Sequence, residues 1–136
     1  MNKIIGLNQV GPSGTTGTDE NPAYALIDVD AETMLPINFR IFAMDLVEAN
    51  ASGTPQWVQM IDYVNDYGMT EGMSPDALYR LAVRLTTDKR FYEQFMWDNS
   101  RRFGRKPRYT DEQWIGNANY DYCKFTSSSD KEKEEC

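Results

Sequence analysis

Apolar residues crowd into two short β-like segments in the first third of the chain and recur at helical spacing after that. Residues 23–30 hold Tyr24, Leu26, Ile27 and Val29, and residues 38–46 hold Phe39, Ile41, Phe42, Met44 and Leu46. Both segments are rich in β-branched and aromatic side chains that fit a pleated surface, with apolar groups on both faces. The connector 31–37, which includes Pro36, is short enough for antiparallel pairing, so the pattern predicts a β-hairpin. Two strands alone are marginal in water. A hairpin with two apolar faces therefore reads as the edge of a larger sheet.

After Asn50 the period lengthens to about 3.6. Thr54-Pro55 predicts a helix start, and Trp57, Met60, Ile61 and Val64 make one stripe that Gly68 can end. Ser74-Pro75-Asp76 repeats the signal ahead of Leu78, Leu81, Ala82 and Leu85. A third helix is expected from Thr86 or Thr87, with Asp88 in its first turn, Phe91/Phe95 and Tyr92/Met96 as i,i+4 pairs, and an end by Gly104. Thr110-Asp111-Glu112-Gln113 fits a capping box and predicts a short fourth helix with Trp114. The expected fold is α+β, an N-terminal β-hairpin followed by three or four α-helices. It divides into a loop and hairpin (1–50), a helical part (51–125) and a polar, mobile tail (126–136).

Composition narrows the chemistry. The 136 residues are 40% hydrophobic and 26% charged, with a net charge of -7, which opposes binding to nucleic acid. No apolar run reaches the roughly 20 residues that span a bilayer. There is no histidine at all, which removes the Ser-His-Asp triad, the Cys-His dyad and imidazole-based metal centres. Residues 1–87 hold 11 acids and 4 bases, whereas residues 88–136 hold 10 of each. Arg101, Arg102, Arg105, Lys106 and Arg108 cluster in this second part, interleaved with Phe103 and Tyr109. Such a cluster suits phosphate or anionic lipid heads; equally it suits a helix end whose bases complement the dipole, the simpler reading here.

Other constellations are weaker. The glycine-rich stretch 11–17 lacks the lysine of a phosphate-binding loop, and 11–22 as a whole reads as turn formers. Asp28, Asp30 and Glu32 alternate as if to gather on a cation, but without the glycine and terminal glutamate of an EF-hand they read as a solvated turn. Asp62 and Asp66 lie one helical turn apart and read as a hydrated helix face rather than an acid–base pair. Trp57, Trp97, Trp114 and the many tyrosines suit a binding groove, but aromatic stripes at helical spacing are more often core. Cys123 and Cys136 either form a bridge, worth about 3 kcal/mol on the chain-entropy view, or stand as free thiols. Asn50-Ala51-Ser52 is an N-glycosylation sequon. The stretch 1–7 carries one base and is too short for an export signal, so a preceding segment is expected.

One ordered set of patterns points further. Gly11-Pro12-Ser13-Gly14-Thr15-Thr16 leads into Asn21-Pro22-Ala23-Tyr24 and Asp28-Val29-Asp30. Asp45-Leu46, Glu48-Ala49-Asn50, Pro55-Gln56-Trp57, Tyr67-Gly68, Ser74-Pro75 with Leu78, Arg84-Leu85, Asp88 and the aromatic run 91–95 then follow. From about Gly11 to Phe95 this order resembles the C-terminal region of the acid sphingomyelinase-like phosphodiesterases, a branch of the calcineurin-like metallophosphoesterases. The closing Cys123/Cys136 pair is similar to that of some microbial relatives.

The resemblance implies a secreted or lysosomal enzyme whose two-metal, usually zinc, centre is held by Asp, Asn and His side chains in an upstream catalytic domain. This chain would supply that domain's last strands and a helical cap, with no cofactor of its own. Gly17 stands where relatives often place an aromatic near the substrate, and no catalytic or metal-binding residue carries over. Trp57, Trp97 and the Arg101–Arg108 bases become candidates for contact with lipid or with the upstream domain. A small acidic interaction module, acting alone, is the alternative. A metal-independent carboxylate enzyme ranks last, because no carboxylate pair has an apolar setting.

Overall fold

In the computed structural model, residues 11–16 and 20–136 are described. The expected N-terminal stretch, with the rest of residues 1–10, and positions 17–19 of the glycine-rich loop, including Gly17, lie outside the described residues. The class is α+β. Strand β1 (Ala23–Val29) pairs antiparallel with β2 (Pro36–Ala43), in a register that sets Ala23 opposite Ala43 and Ile27 opposite Phe39. The turn between them is organised by Asp30. Its Oδ1 accepts from the Glu32 amide (3.1 Å), the Thr33 amide (2.7 Å) and the Thr33 hydroxyl (2.8 Å). The Thr33 donors hold the Asp30 carboxyl below its usual range. Asp28 instead pairs with Arg40 at 2.6 Å, so the alternating acids make a turn and a cross-strand ion pair.

The hairpin is only part of the sheet. A third strand, β3 (Val58–Asp62), lies where the apolar stripe predicts a helix, and it pairs antiparallel with β2. The positions 57, 60, 61 and 64 fit a helical stripe, but 60 and 61 also fit a strand with one extra residue, and Val64 falls in the short helix that follows it. A register shift between Ile41 and Phe42 supplies that extra residue, and Met60, Ile61 and Asp62 are buried in succession. The second strand also stops three residues before Leu46. Asp45 accepts from the Val47 and Glu48 amides and N-caps a short helix, α1 (Leu46–Ser52). The boundary near residue 50 thus falls within α1, and the sheet draws strands from both sides of it.

Asp62 ends β3 and caps α2 (Tyr63–Tyr67), whose C-terminus turns through Gly68 at φ 71°. Ser74 caps α3 (Pro75–Thr87) with Pro75 in the first turn, as the sequence predicts. Asp88 lies just before the helix that answers to the expected third one, rather than in its first turn. Its backbone is extended, its amide closes α3 on the Arg84 carbonyl (3.0 Å), and its carboxylate caps α4 (Lys89–Asn99) through the Phe91 amide (3.0 Å). The capping box at Thr110 and Gln113 forms in both directions. The helix it opens, α5 (Asp111–Thr126), has 16 residues and is not short. The polar tail contains α6 (Asp130–Glu135).

One hydrophobic core joins these parts. The inner sheet face (Ala23, Phe39, Ile41, Ala43, Ile61) meets Tyr67, Met69 and Met73, then Leu81 and Leu85 of α3, Phe91 and Tyr92 of α4, and Ala118 of α5. Aromatic rings run through it edge to face: Phe39 on Tyr63 (5.3 Å between centroids), Tyr63 on Tyr67 (4.8 Å), Tyr67 on Phe91 (5.5 Å). Side-chain bonds tie the helices: Trp114 Nε1 donates to the Leu85 carbonyl (3.1 Å) and the Tyr92 hydroxyl to Asp121 (2.8 Å).

The expected hydrated face holds for Asp66, which is exposed, but not for Asp62. Asp62 is buried and accepts from the Asn65 amide and the Asn38 carboxamide, both at 3.1 Å, while Asp66 accepts from the Asp62 amide at 2.7 Å. Burial pushes the Asp62 carboxyl up, and these hydrogen bonds outweigh it, so the group titrates below its usual value. A depressed folded-state pKa means that the stabilisation is complete above the unfolded-state value and is lost as pH falls through the folded-state one. Asp62→Ala should lower stability at neutral pH by about 1 kcal/mol, the worth of a helix cap. It should also flatten the acid limb of the stability curve, from the ordinary carboxylate range downward. Urea midpoints across that range check both.

Candidate functional site

Two surfaces gather the residues that the sequence singles out. The first is the outer face of the sheet. Strand alternation sends Tyr24 and Phe42, opposite each other across β1 and β2, to the side away from the helices. Their rings stack at 5.2 Å, and Trp57 meets Tyr24 edge to face at 5.2 Å. Trp57 remains 47% exposed, and Tyr24 and Leu26 are also exposed. Beside them, the Arg40–Asp28 pair divides this apolar area from the buried Asp62 cap. At the rim of β1, the outward amide of Ala23 donates to the Ser13 carbonyl (3.1 Å), and Ile27 and Val29 stand exposed farther along the strand.

The second surface is the turn after α4, where the five clustered bases do not act as one patch. The Arg101 side chain is only 10% exposed and ion-pairs with Glu20; burial alone pulls its guanidinium pKa down. Arg102 Nε donates to Asp98 Oδ1 at 2.7 Å, and its guanidinium lies 5.5 Å from the Trp97 ring. Lys106 Nζ donates to Gln94 at 2.6 Å. Arg105 and Arg108 are exposed. Trp97 is half-buried, and its indole N–H has no acceptor among the described residues. Arg101 and Arg102 both take left-handed backbone (φ 54° and 56°), which swings the chain sharply off the helix end.

That turn is fastened by a residue whose part here the sequence pattern does not mark, although it opens the Asn21-Pro22-Ala23-Tyr24 motif. Asn21 is buried; its Nδ2 donates to the Arg101 carbonyl (3.1 Å) and its Oδ1 accepts from the Leu46 amide (3.1 Å). Asn21 thereby ties the entry to β1, the start of α1 and the end of α4 together. Asp98 was equally unmarked. It is 2% exposed and accepts from the Tyr67 hydroxyl (3.0 Å), Gln94 (2.9 Å) and Arg102 (2.7 Å). The i−4 glutamine and i+4 arginine around an aspartate in an aromatic helix were the signal available for it.

Cys123 and Cys136, 13 positions apart, are joined in a disulfide that holds the terminal helix against α5. Lys133 Nζ adds a hydrogen bond to the Tyr120 hydroxyl (3.0 Å). The full chain-entropy gain requires the tail to be free when unfolded and firmly packed when folded. Here α6 buries none of its residues, so the bond restrains a tail that would otherwise fray from the native state as well. Reduction should therefore expose the amides of 127–136 to exchange while shifting the main unfolding transition by much less than the loop estimate of about 3 kcal/mol. Hydrogen exchange read beside a thermal melt, with and without a dithiol, checks this.

Asn50, in the last turn of α1, is exposed. A shallow cleft of about 180 Å³ lies between α3 and the loop after α2, lined by Tyr67, Met69, Glu71, Arg80 and Arg84 among others. Its cations are already engaged, Arg80 with Glu71 (2.7 Å) and Arg84 with Asp88 (3.5 Å). Among the described residues no cluster of three or more acidic or cysteine side chains is arranged to hold a metal ion, and no helix is long and apolar enough to cross a membrane. The chain matches no protein-family model and no curated protein.

Proposed function

We propose that this chain is the C-terminal, non-catalytic portion of an acid sphingomyelinase-like phosphodiesterase, and that its outer sheet face seats against an upstream catalytic domain. The observation that carries this reading is the Tyr24–Phe42–Trp57 face: large rings held rigidly in contact by the sheet, on the side the helices leave bare. Sheets whose two faces are both apolar are ordinarily covered on both. The order of motifs from Gly11 to Phe95 supports the same assignment. In such an enzyme a two-metal centre held by the upstream domain would supply the Lewis acid and the activated water for phosphodiester hydrolysis. Trp57 on the outer sheet face, and the exposed Arg105 and Arg108 between α4 and α5, would then contact that domain or the lipid it works on.

The coding DNA upstream of Met1 tests this directly. An in-frame or adjacent region encoding Asp-x-His and Gly-His-x-His motifs is the expected finding, together with no zinc-dependent phosphodiester hydrolysis by the purified chain alone. An independent promoter without such motifs, joined to stable monomeric behaviour of the chain, would replace the proposal with an acidic interaction module that docks a partner on the same aromatic face.

A further inference from the structure

The sequon Asn50-Ala51-Ser52 falls on α1, a helix that buries none of its residues. Leu46 and Ala49 make its half-covered side, whereas Asn50, Ala51 and Ser52 are exposed, as is the chain that follows them through Gln59. The Ser52 hydroxyl stays at the surface, accepting only from the Thr54 amide at 3.2 Å and donating weakly to its carbonyl. A large polar group on Asn50 therefore displaces no packing and breaks no buried hydrogen bond. A second, independent observation comes from the far end of the chain. Cys123 and Cys136 are disulfide-bonded, and such bonds form and persist in oxidising compartments, which are also where secreted chains meet glycosylation machinery.

We propose that Asn50 is an N-glycosylation site, whose donor is an oligosaccharide carried on a polyprenyl diphosphate. The Asn50 carboxamide nitrogen attacks C1 of the first sugar and the N–C1 bond forms. The bond from C1 to the diphosphate oxygen breaks, and the amide proton leaves with the lipid diphosphate. No electrons are exchanged and no further reactant is consumed. The other asparagines of the chain lack a serine or threonine two positions on, so the modification is confined to this one. This assignment stands apart from the phosphodiesterase reading and is tested separately from it.

The protein isolated from its natural source should yield the peptide containing position 50 only after peptide-N-glycosidase treatment, with Asn50 converted to aspartate and labelled when the digestion is run in heavy-oxygen water. Unmodified Asn50 as the sole form, in protein whose Cys123–Cys136 bond is intact, would overturn the proposal. Passage of the full chain through the secretory pathway of cultured eukaryotic cells gives a second reading. The wild-type chain should show a glycosidase-sensitive gel shift that Asn50→Gln and Ser52→Ala each abolish. Absence of a shift in wild type, or its survival in both variants, refutes the assignment.

Discussion

Replacement of Asp98 by alanine should cost about 3 kcal/mol of folding stability, the range for stripping the acceptor from a buried, charge-assisted network. The carboxylate is nearly inaccessible and serves three donors from three places: Tyr67 on α2, Gln94 on its own helix and Arg102 beyond the helix end. Without it, Arg102 can turn to water because it is partly exposed, and Gln94 can follow. Tyr67 cannot. Its hydroxyl sits in the core against Phe91 and Phe95, and burial together with the neighbouring Asp98 charge drives its pKa far up, so it stays a protonated donor with nothing to meet. Tyr67→Phe in the Asp98→Ala background should therefore recover part of the loss. A double-mutant cycle read by urea denaturation isolates that coupling. An Asp98→Ala loss below about 1 kcal/mol would mean that water replaces the carboxylate.

Leu85→Ala should be comparably severe, again about 3 kcal/mol, but by a different route. Leu85 is 1% exposed and sits in the last turns of α3. Its backbone carbonyl accepts the Trp114 indole N–H, so α5 is pinned over the spot where the side chain would be lost. A pinned neighbour collapses poorly into a cavity, which keeps the cost within the large-to-small range rather than below it. For a chain of this size the melting temperature should drop by roughly 10 °C. Leu85→Met, which keeps the volume, should cost less than about 1.5 kcal/mol. Equal losses for the two variants in thermal unfolding would show that the site tolerates no change of shape, rather than suffering from a void.

The helices were the legible half of the sequence because their starts are fixed by local chemistry. Ser74-Pro75 and Thr110 with Gln113 act through bonds that close within four residues, and they appear where the residues place them. Strands depend on partners far along the chain. The stripe of Trp57, Met60 and Ile61 fits either period, and what decides for a strand is the open side of β2 lying next to it. Asp45 failed to mark the end of β2 for a related reason: Leu46 looked like one more strand residue, and the cap that excludes it is visible only once Val47 and Glu48 turn their amides inward.

The candidate surfaces divide the same way. Trp57 is exposed as a docking residue needs to be, yet its partners Tyr24 and Phe42 are set by register, which the sequence does not spell out. The run of bases reads as one patch in sequence. It is dispersed in space because Glu20 and Asp98, 81 and 4 positions away from the arginines they meet, claim two of its members.

The Asn21 fastening has a consequence for the order in which the chain assembles. Its carboxamide bonds to a carbonyl 80 positions later, whereas β1, β2 and β3 follow one another along the chain, joined by a turn and by the segment that carries α1. Bringing distant positions together carries a larger entropic penalty than hairpin closure and slows the step that depends on it. On a ribosome, the three strands can therefore pair while the last helices are still being synthesised. Asn21 must wait with an unmet donor until α4 has been completed and its end has turned back, making this latch a late checkpoint on whether sheet and helices have docked in register.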